Sequence, residues 1–397
     1  MFEKVLLKSL FRKMKHGGFS VVFWDGEEAA YGDESPAFKL IFHTAPDLGP
    51  GDSDPVTWLG EAYMDEIIDY EGSLEDFLRI LQLNGQFMAA PDRNMVAATA
   101  ATSRSCLKDQ LRQEQTNIRH HYDCGNDFFS LWLDKTLSYS CAYFKTPDDS
   151  LDQAQLQKID HSLRKLNLKP GEHLLDIGSG WGWLIIRAAQ KYGVKATGIT
   201  LSSEQYAATK ERVADLGLAG QVNVEIMNYQ ELDPRIHHFD KIVSIGMFEH
   251  VGKNNLPTYM ERVSDLLSDG GLSLLHTITG PDEHPGNNWM LKYIFPGGYV
   301  PSLRETVWLL PDYNFQLLHI ENLRLHYAMT LDLWYRNFME HIDAILQKFG
   351  TRFTRMWSLY LQACAASFRV TGLSLHQLLF SKGLNNRLPI TYDYIYR

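Results

Sequence analysis

The run His173-Leu-Leu-Asp-Ile-Gly-Ser-Gly-Trp-Gly182 carries the clearest chemistry in the sequence. Leu174, Leu175 and Ile177 read as a buried strand, and Asp176 places a carboxylate near its end. Glycines at 178, 180 and 182 then form a turn whose backbone N–H groups come close to a ligand. The spacing hydrophobic-Asp-x-Gly-x-Gly-x-Gly differs from the Gly-x-Gly-x-x-Gly of a dinucleotide site. It is the spacing used for S-adenosylmethionine, a donor of one-carbon units. An ordinary tight loop can also be rich in glycine. The order strand, acid, turn, helix is what gives this one a ligand.

Further reactive side chains fall at the ends of other apolar runs. Thr200-Leu-Ser-Ser-Glu-Gln205 follows a second strand, where a ribose partner is expected. Gln205 and Glu204 are the alternatives, and Ser202 with Gln205 also has the spacing of a helix-capping box. Asn228 and Tyr229 follow a third strand, placed to stack on or hydrogen-bond an adenine. A fourth runs into Ser244-Ile-Gly-Met-Phe-Glu-His-Val-Gly252, where a carboxylate and an imidazole emerge together. A fifth ends at His276-Thr-Ile-Thr279, and Tyr139-Ser-Cys-Ala-Tyr143 lies upstream. Any one of these fits a satisfied core residue. Their convergence on one sheet edge is the mark of a site.

The elements that must position these groups follow from the alternation of strand and helix patterns after residue 170. Strands at 173–177, 194–200, 222–226, 241–244 and 271–277 are interleaved with helices at 183–192, 202–216 and 256–267. This α/β pattern gives a doubly wound, Rossmann-like parallel sheet with ligands at the carboxyl ends of its strands. A helix at 151–166 precedes it. Later helices near 332–349 and 352–366 are placed to cover the site, and 377–380 reads as a last strand. Residues 1–90 read as a smaller α+β N-terminal domain, 91–110 as a linker, and 111–397 as the catalytic domain, opening with helices at 111–121 and 126–133.

Composition excludes several classes. The net charge of −10 lacks the basic footprint of a nucleic-acid binder. The four cysteines, 106, 124, 141 and 364, form no Cys-x-x-Cys pair, so no metal is expected. No apolar run approaches the ~18 residues of a membrane span. The expectation is a cytoplasmic protein. One segment reverses the overall charge: within 2–15, Lys4, Lys8, Arg12, Lys13 and Lys15 stand against Glu3. Leu7, Leu10, Phe11 and Met14 share a helical face. That segment is either an interfacial helix touching anionic lipid or a core-packing helix with a solvated basic face.

The quoted motifs, together with His121-Tyr-Asp-Cys-Gly-Asn-Asp-Phe-Phe129, Lys292-Tyr-Ile-Phe-Pro296 and Ala363-Cys-Ala-Ala-Ser-Phe-Arg369, resemble the bacterial cyclopropane-fatty-acyl-phospholipid synthases, mycolic acid cyclopropane synthase-like methyltransferases. Gly60-Glu-Ala-Tyr-Met64 resembles their smaller N-terminal domain. The resemblance implies a class I methyltransferase fold and transfer of methylene from S-adenosylmethionine across a cis double bond of an unsaturated phospholipid. It implies a bicarbonate ion held by Cys141 (through its backbone), Glu249, His276 and Tyr327. It assigns the methyl donor to Tyr139, Ser140, Gly178, Gly180, Leu201, Gln205, Tyr229 and Ile245, to which the strand-end reading adds Asp176, Gly182, Thr200 and Asn228. A homodimer, peripherally associated with the inner face of the cell membrane, is also implied. The alternative is a relative that makes methyl- or methylene-branched lipids. Ser179 stands where the family often has Cys, and Cys124 replaces an apolar residue.

The chemistry explains such a set. An alkene is a weak nucleophile, so it must be held in line with the methyl donor and away from water. Attack leaves a cation on the acyl chain, which aromatic faces stabilise; Phe144, Tyr293, Phe295 and Tyr335 are the wall residues the sequence offers. A base then removes a proton from the new methyl. Glu249 is the sequence's own candidate, and the resemblance implies bicarbonate instead, oriented by Glu249.

Overall fold

The computed structural model describes residues 2–47, 54–85, 125–283 and 286–396. The expected linker at 91–110, the helix at 111–121 and the start of the His-Tyr-Asp motif at 121–124 lie outside the described residues. The chain forms two compact units. They do not divide it at one point, because residues 287–294 and 338–372 belong with the N-terminal unit.

In the first unit, β1 (Gly18–Val22), β2 (Glu28–Gly32), β3 (Phe38–Phe42) and β4 (Ile68–Gly72) form a sheet in the order β2-β1-β3-β4. The β1–β2 hairpin closes over Asp25-Gly26, with Gly26 N–H donating to Phe23 O at 2.8 Å and Gly26 at φ +85°. β3 alternates cleanly: Phe38, Leu40 and Phe42 point into the core. β2 escapes a sequence reading because Tyr31 is its one buried residue. The Pro55–Met64 helix starts where Asp54 accepts from the N–H groups of Val56 and Thr57. The Leu74–Leu83 helix is capped by Ser73 in the same way.

The Ile342–Val370 helix is bent at Gly350 (φ 80°, ψ 170°). It packs against the Leu74–Leu83 and Pro55–Met64 helices inside this first unit. Arg355 donates to the Asp69 carboxylate at 2.8 Å and to Ile68 O at 3.0 Å. Within the first unit the segment contributes to the core, where Ala366 is buried with Phe19, Val21 and Phe38.

In the second unit, β5 (His173–Ile177), β6 (Lys195–Thr200), β7 (Val222–Ile226), β8 (Phe239–Ile245), β9 (Leu267–Thr279), β10 (Phe315–Asn322) and β11 (Ser374–Lys382) form one sheet, in the order β10-β11-β9-β8-β5-β6-β7. The pairs from β7 across to β9 are parallel, and β11 and β10 close the edge antiparallel. The class is the doubly wound α/β sheet expected. Strand β5 sits at the reversal of strand order, with β6 on one side and β8 on the other. Connections leave it in opposite directions, and a crevice opens at its carboxyl end. Central strands are apolar on both faces, as strands covered by helices must be; Leu174, Leu175, Ile242, Val243 and Leu274 are fully buried. Among the described residues no helix is long and apolar enough to cross a membrane.

Candidate active site

The glycine turn is built against two neighbours. Gly178 and Ser179 N–H groups both donate to Ile199 O, at 3.0 and 2.9 Å, strapping the turn to β6. Gly182 begins the Trp183–Tyr192 helix in the left-handed region (φ 79°, ψ 4°). A Cβ there would lie 2.2 Å from Thr209 Cγ2, so glycine is required by both conformation and space.

The turn faces an open cleft of about 1170 Å³, counted to its mouth. Tyr139, Ser140, Asp176, Gly178, Gly180, Thr200, Leu201, Gln205, Asn228, Tyr229 and Ile245 line it. Gly182 does not; it lies against Thr209 and shapes the turn from behind. Ser202 caps the Ser203–Asp215 helix by accepting from Gln205 N–H. The Gln205 side chain does something else, since its Oε1 accepts from Thr200 Oγ1 at 2.7 Å. That bond leaves the Gln205 amide NH₂ for the cleft. Glu204 is exposed and outside the lining. Asn228 caps the turn at Tyr229–Glu231, with Glu231 Oε2 accepting from its N–H at 2.8 Å. Tyr229 packs edge-on against Tyr259 at 5.5 Å.

Lys158 is a residue of the cleft that sequence reasoning missed. It is 4% exposed on the Leu151–Lys165 helix, and its Nζ donates to Ser140 Oγ at 2.9 Å. A lysine on a surface helix ordinarily reads as solvated. The available signal was its position, four after Ala154 and seven after Leu151, on the buried stripe. Burial lowers its pKa, while Asp134, Cys141 and Asp176 pull the other way. Burial also raises Asp176, to about 7, against the pull of Lys158. Asp134 is raised by burial too. Its carboxylate accepts from the N–H groups of Thr136 at 2.8 Å and Ser138 at 2.9 Å, holding the loop that leads into Tyr139. His250, another lining residue, is held neutral by burial, its pKa lowered to about 4. Asp176 and Lys158, which line the cleft, are of opposite sign, and burial disfavours the charged form of each.

Cys141, Glu249, His276 and Tyr327 are not among the residues that line the cleft. Glu249 and His276 are joined through β9. Glu249 Oε1 accepts from Ile278 N–H at 2.6 Å, and Gly246 N–H donates to His276 O at 2.9 Å. Cys141 and Tyr327 meet through Leu323, whose carbonyl lies 3.8 Å from Cys141 Sγ and accepts from Tyr327 N–H at 3.1 Å. Lys158 connects the two pairs electrostatically, since its charge acts on both Cys141 and His276. Burial pushes the Cys141 thiol up, so the side chain stays neutral and is no nucleophile.

Among the described residues, two buried polar atoms in this group have no hydrogen-bond partner, Glu249 Oε2 and His276 Nε2, although the Thr277 hydroxyl also acts on the Glu249 carboxyl. Burial holds His276 neutral, its pKa well below the ordinary value. The Gln377 amide donates to His276 Nδ1 at 3.0 Å, which leaves the ring proton on Nε2. One orphan is thus an acceptor and the other a donor. A small oxyanion with one hydroxyl carries the donor and the acceptor that these two atoms lack. Burial raises Glu249 while the Ile278 N–H opposes it, so a hydroxyl proton between carboxylate and anion also relieves their repulsion.

Of the wall residues, Phe295 packs edge-on against His250 at 5.9 Å, beside the cleft. Phe144 is buried against His326. Tyr293 lies in the first unit with its hydroxyl on Glu61 at 2.7 Å.

Comparison with known proteins bears on the family and the fold. The sequence model of the mycolic acid cyclopropane synthetase family matches residues 109–378. A second, described as a domain of unknown function, matches 6–90. A probable fatty acid methyltransferase of Pseudomonas putida is 34% identical over 94% of this chain and 95% of its own. The cyclopropane-fatty-acyl-phospholipid synthase of Escherichia coli K12 is 40% identical over 68% of this chain and 69% of its own. A crystal structure of a mycolic acid cyclopropane synthase complexed with SAH and CTAB superposes with a TM-score of 0.64 at 34% identity, covering 68% of this chain and 98% of that one.

Proposed function

The chain belongs to the mycolic acid cyclopropane synthetase family, and from that premise we propose that it transfers a methylene group from S-adenosylmethionine across a cis double bond of an unsaturated phospholipid, closing a cyclopropane ring. The observation that carries this reading is the pair Glu249 Oε2 and His276 Nε2, buried and unpartnered among the described residues, in the unit whose cleft Gly178, Gly180 and Gln205 line. A plain methyl transferase to an amine or hydroxyl has no need for a buried oxyanion site. An alkene acceptor does, because the proton that must leave is carried on carbon, in a site that has to be closed to water.

S-adenosylmethionine would supply an electrophilic methyl carried on a sulfonium. Asp176 and the glycine turn would receive its charged end, Gln205 its ribose, and Asn228 and Tyr229 its adenine. Bicarbonate would supply the base. Glu249 and His276 would hold it through their unpartnered atoms, with Tyr327 and the Cys141 N–H as the further ligands that the resemblance implies. Glu249 would hold its hydroxyl proton and so fix which oxygen faces the substrate. Neutral His276 would donate without competing for the proton, which suits a residue whose burial disfavours its cation. Phe295, next to His250, offers an unreactive face to a cation on the acyl chain.

A second reading has its own support. The relative matching nearly the whole chain is named a fatty acid methyltransferase. A branched product would share the first step and lose the proton elsewhere. Methyl-labelled S-adenosylmethionine, incubated with unsaturated phospholipid vesicles, tests both. Transfer that rises when bicarbonate is restored to depleted buffer, with cyclopropyl protons upfield in the proton NMR of extracted lipid, is the expected result. Labelled lipid without those signals selects the branched product. No transfer with or without bicarbonate ends the proposal.

A further inference from the structure

The Phe2–Phe11 helix is two-faced in an unexpected sense. Leu7 and Phe11 turn inward, with Phe11 on Phe19 at 5.7 Å and Tyr31 at 5.5 Å, and Met14 is buried just beyond. The lysines are not a solvated face. Lys4 Nζ bonds Asp25 at 2.5 Å and Glu27 at 2.7 Å, and Lys8 pairs with Glu27. The face turned to solvent is the apolar one. Phe2 is 77% exposed, Val5 63%, Leu6 46% and Leu10 41%, and Ser9 is the one polar side chain among them. Spacings of three and four residues make these a single stripe. Just past the helix, Arg12, Lys13 and Lys15 are exposed and form no ion pair among the described residues.

We infer that this stripe is a docking surface for an anionic phospholipid surface. An apolar stripe in water is unfavourable unless something covers it. A lipid surface answers both features at once: its acyl region takes Phe2, Val5, Leu6 and Leu10, and its phosphates take the three cations. The lysines within the helix serve a different end, fastening it to the β1–β2 hairpin so that the stripe is held outward. The inference gives the proposed lipid reaction its route to the membrane, and in that sense rests on it.

Sedimentation of the full chain with vesicles of phosphatidylcholine, with and without phosphatidylglycerol, tests it. The paired substitutions Leu6→Gln and Leu10→Gln, both at exposed positions, should weaken partition about tenfold or more on either vesicle. The triple change Arg12→Gln, Lys13→Gln, Lys15→Gln should abolish the preference for phosphatidylglycerol and the sensitivity to salt. Unchanged far-ultraviolet circular dichroism and melting temperature show that both variants fold. Partition unaltered in the Leu6/Leu10 variant overturns the inference. So does a change in oligomeric state on gel filtration with partition unaltered, which would mean that a second copy covers the stripe. Partition needs no turnover. If label transfer fails while partition still depends on the helix, the reaction falls and the docking surface stands.

Discussion

Replacing Gly182 by alanine tests the physical account of the ligand turn. The residue has φ +79°, where an L-residue costs ~1–2 kcal/mol. The new Cβ would also sit 2.2 Å from Thr209 Cγ2, where ordinary contact begins at 3.4 Å, so 3.4 − 2.2 = 1.2 Å must be found. Thr209 cannot swing aside. It is fully buried, β-branched on a helix, and its Oγ1 donates to Gln205 O at 2.7 Å. The helix itself must shift, carrying Gln205 with it, at an overpacking cost of ~1–3 kcal/mol. The expected total is ~2–5 kcal/mol. Gly180→Ala is the internal control: φ is +54° but nothing lies within 4 Å, so the dihedral cost alone, ~1–2 kcal/mol, should appear. Urea unfolding gives both numbers, and calorimetry with S-adenosylmethionine should show weaker binding in Gly182→Ala as Gln205 moves. In a cycle with Thr209→Ala, the double variant should recover the clash and leave the dihedral cost. Equal losses for Gly180→Ala and Gly182→Ala, or strict additivity with Thr209→Ala, would refute the reasoning.

Three further outcomes are expected. Glu249→Gln keeps an acceptor for Ile278 N–H but turns the orphaned oxygen into a donor, so turnover should fall about 10²–10³-fold with binding of S-adenosylmethionine nearly intact; a large loss of binding instead would place Glu249 in the nucleotide site. Asp176, raised by burial from 3.8 to about 7, makes the folded state lose stability as pH climbs between those values, by at most ~4 kcal/mol. Asp176→Asn should therefore gain on the wild type in urea unfolding as pH rises from 4 to 8, and a pH-independent difference would contradict the assignment. Glu321 joins His161 and Lys165, each bond 2.6 Å, both partners being essentially buried. Burial alone would raise Glu321, but the His161 bond and the Lys165 charge overcome it and hold the carboxyl at about 2. Its stabilisation is present above 4.5 and lost as pH falls through about 2. Glu321→Gln should cost ~3–5 kcal/mol in urea unfolding at neutral pH by stranding Lys165, and a loss below 1 kcal/mol would show the triad to be weak.

Much of the second unit was legible along the chain. Strand 173–177, helix 183–192 and strand 222–226 fall where periodicity places them, because a central parallel strand must be continuously apolar and its crossover helix amphipathic. That Asp176, Gly178, Gly180 and Gln205 line the cleft was readable for the same reason: clefts in this fold open at strand ends, and strand ends show in sequence. β10 was not. Its residues alternate with little burial, and only antiparallel pairing with β11 keeps it in the sheet. Leu10 was read onto one face with Leu7, Phe11 and Met14; it is exposed while those three are buried, in a helix that the Lys4 and Lys8 ion pairs fasten to Asp25 and Glu27.

The sequence by itself therefore determined the alternating sheet, the turn that receives a nucleotide-type ligand, and the side chains available for proton chemistry, since each is encoded within a few neighbouring residues. Tertiary structure alone decided which of those side chains remain unsatisfied. Glu249 and His276 are 27 residues apart, and Lys158 lies farther upstream still; no local pattern says that an acceptor oxygen, a donor nitrogen and a buried cation share one interior. It also decided which face of the first helix meets water. Hydrophobic periodicity fixes that a helix has an apolar side, but the direction of that side depends on what the rest of the chain supplies to pack against it.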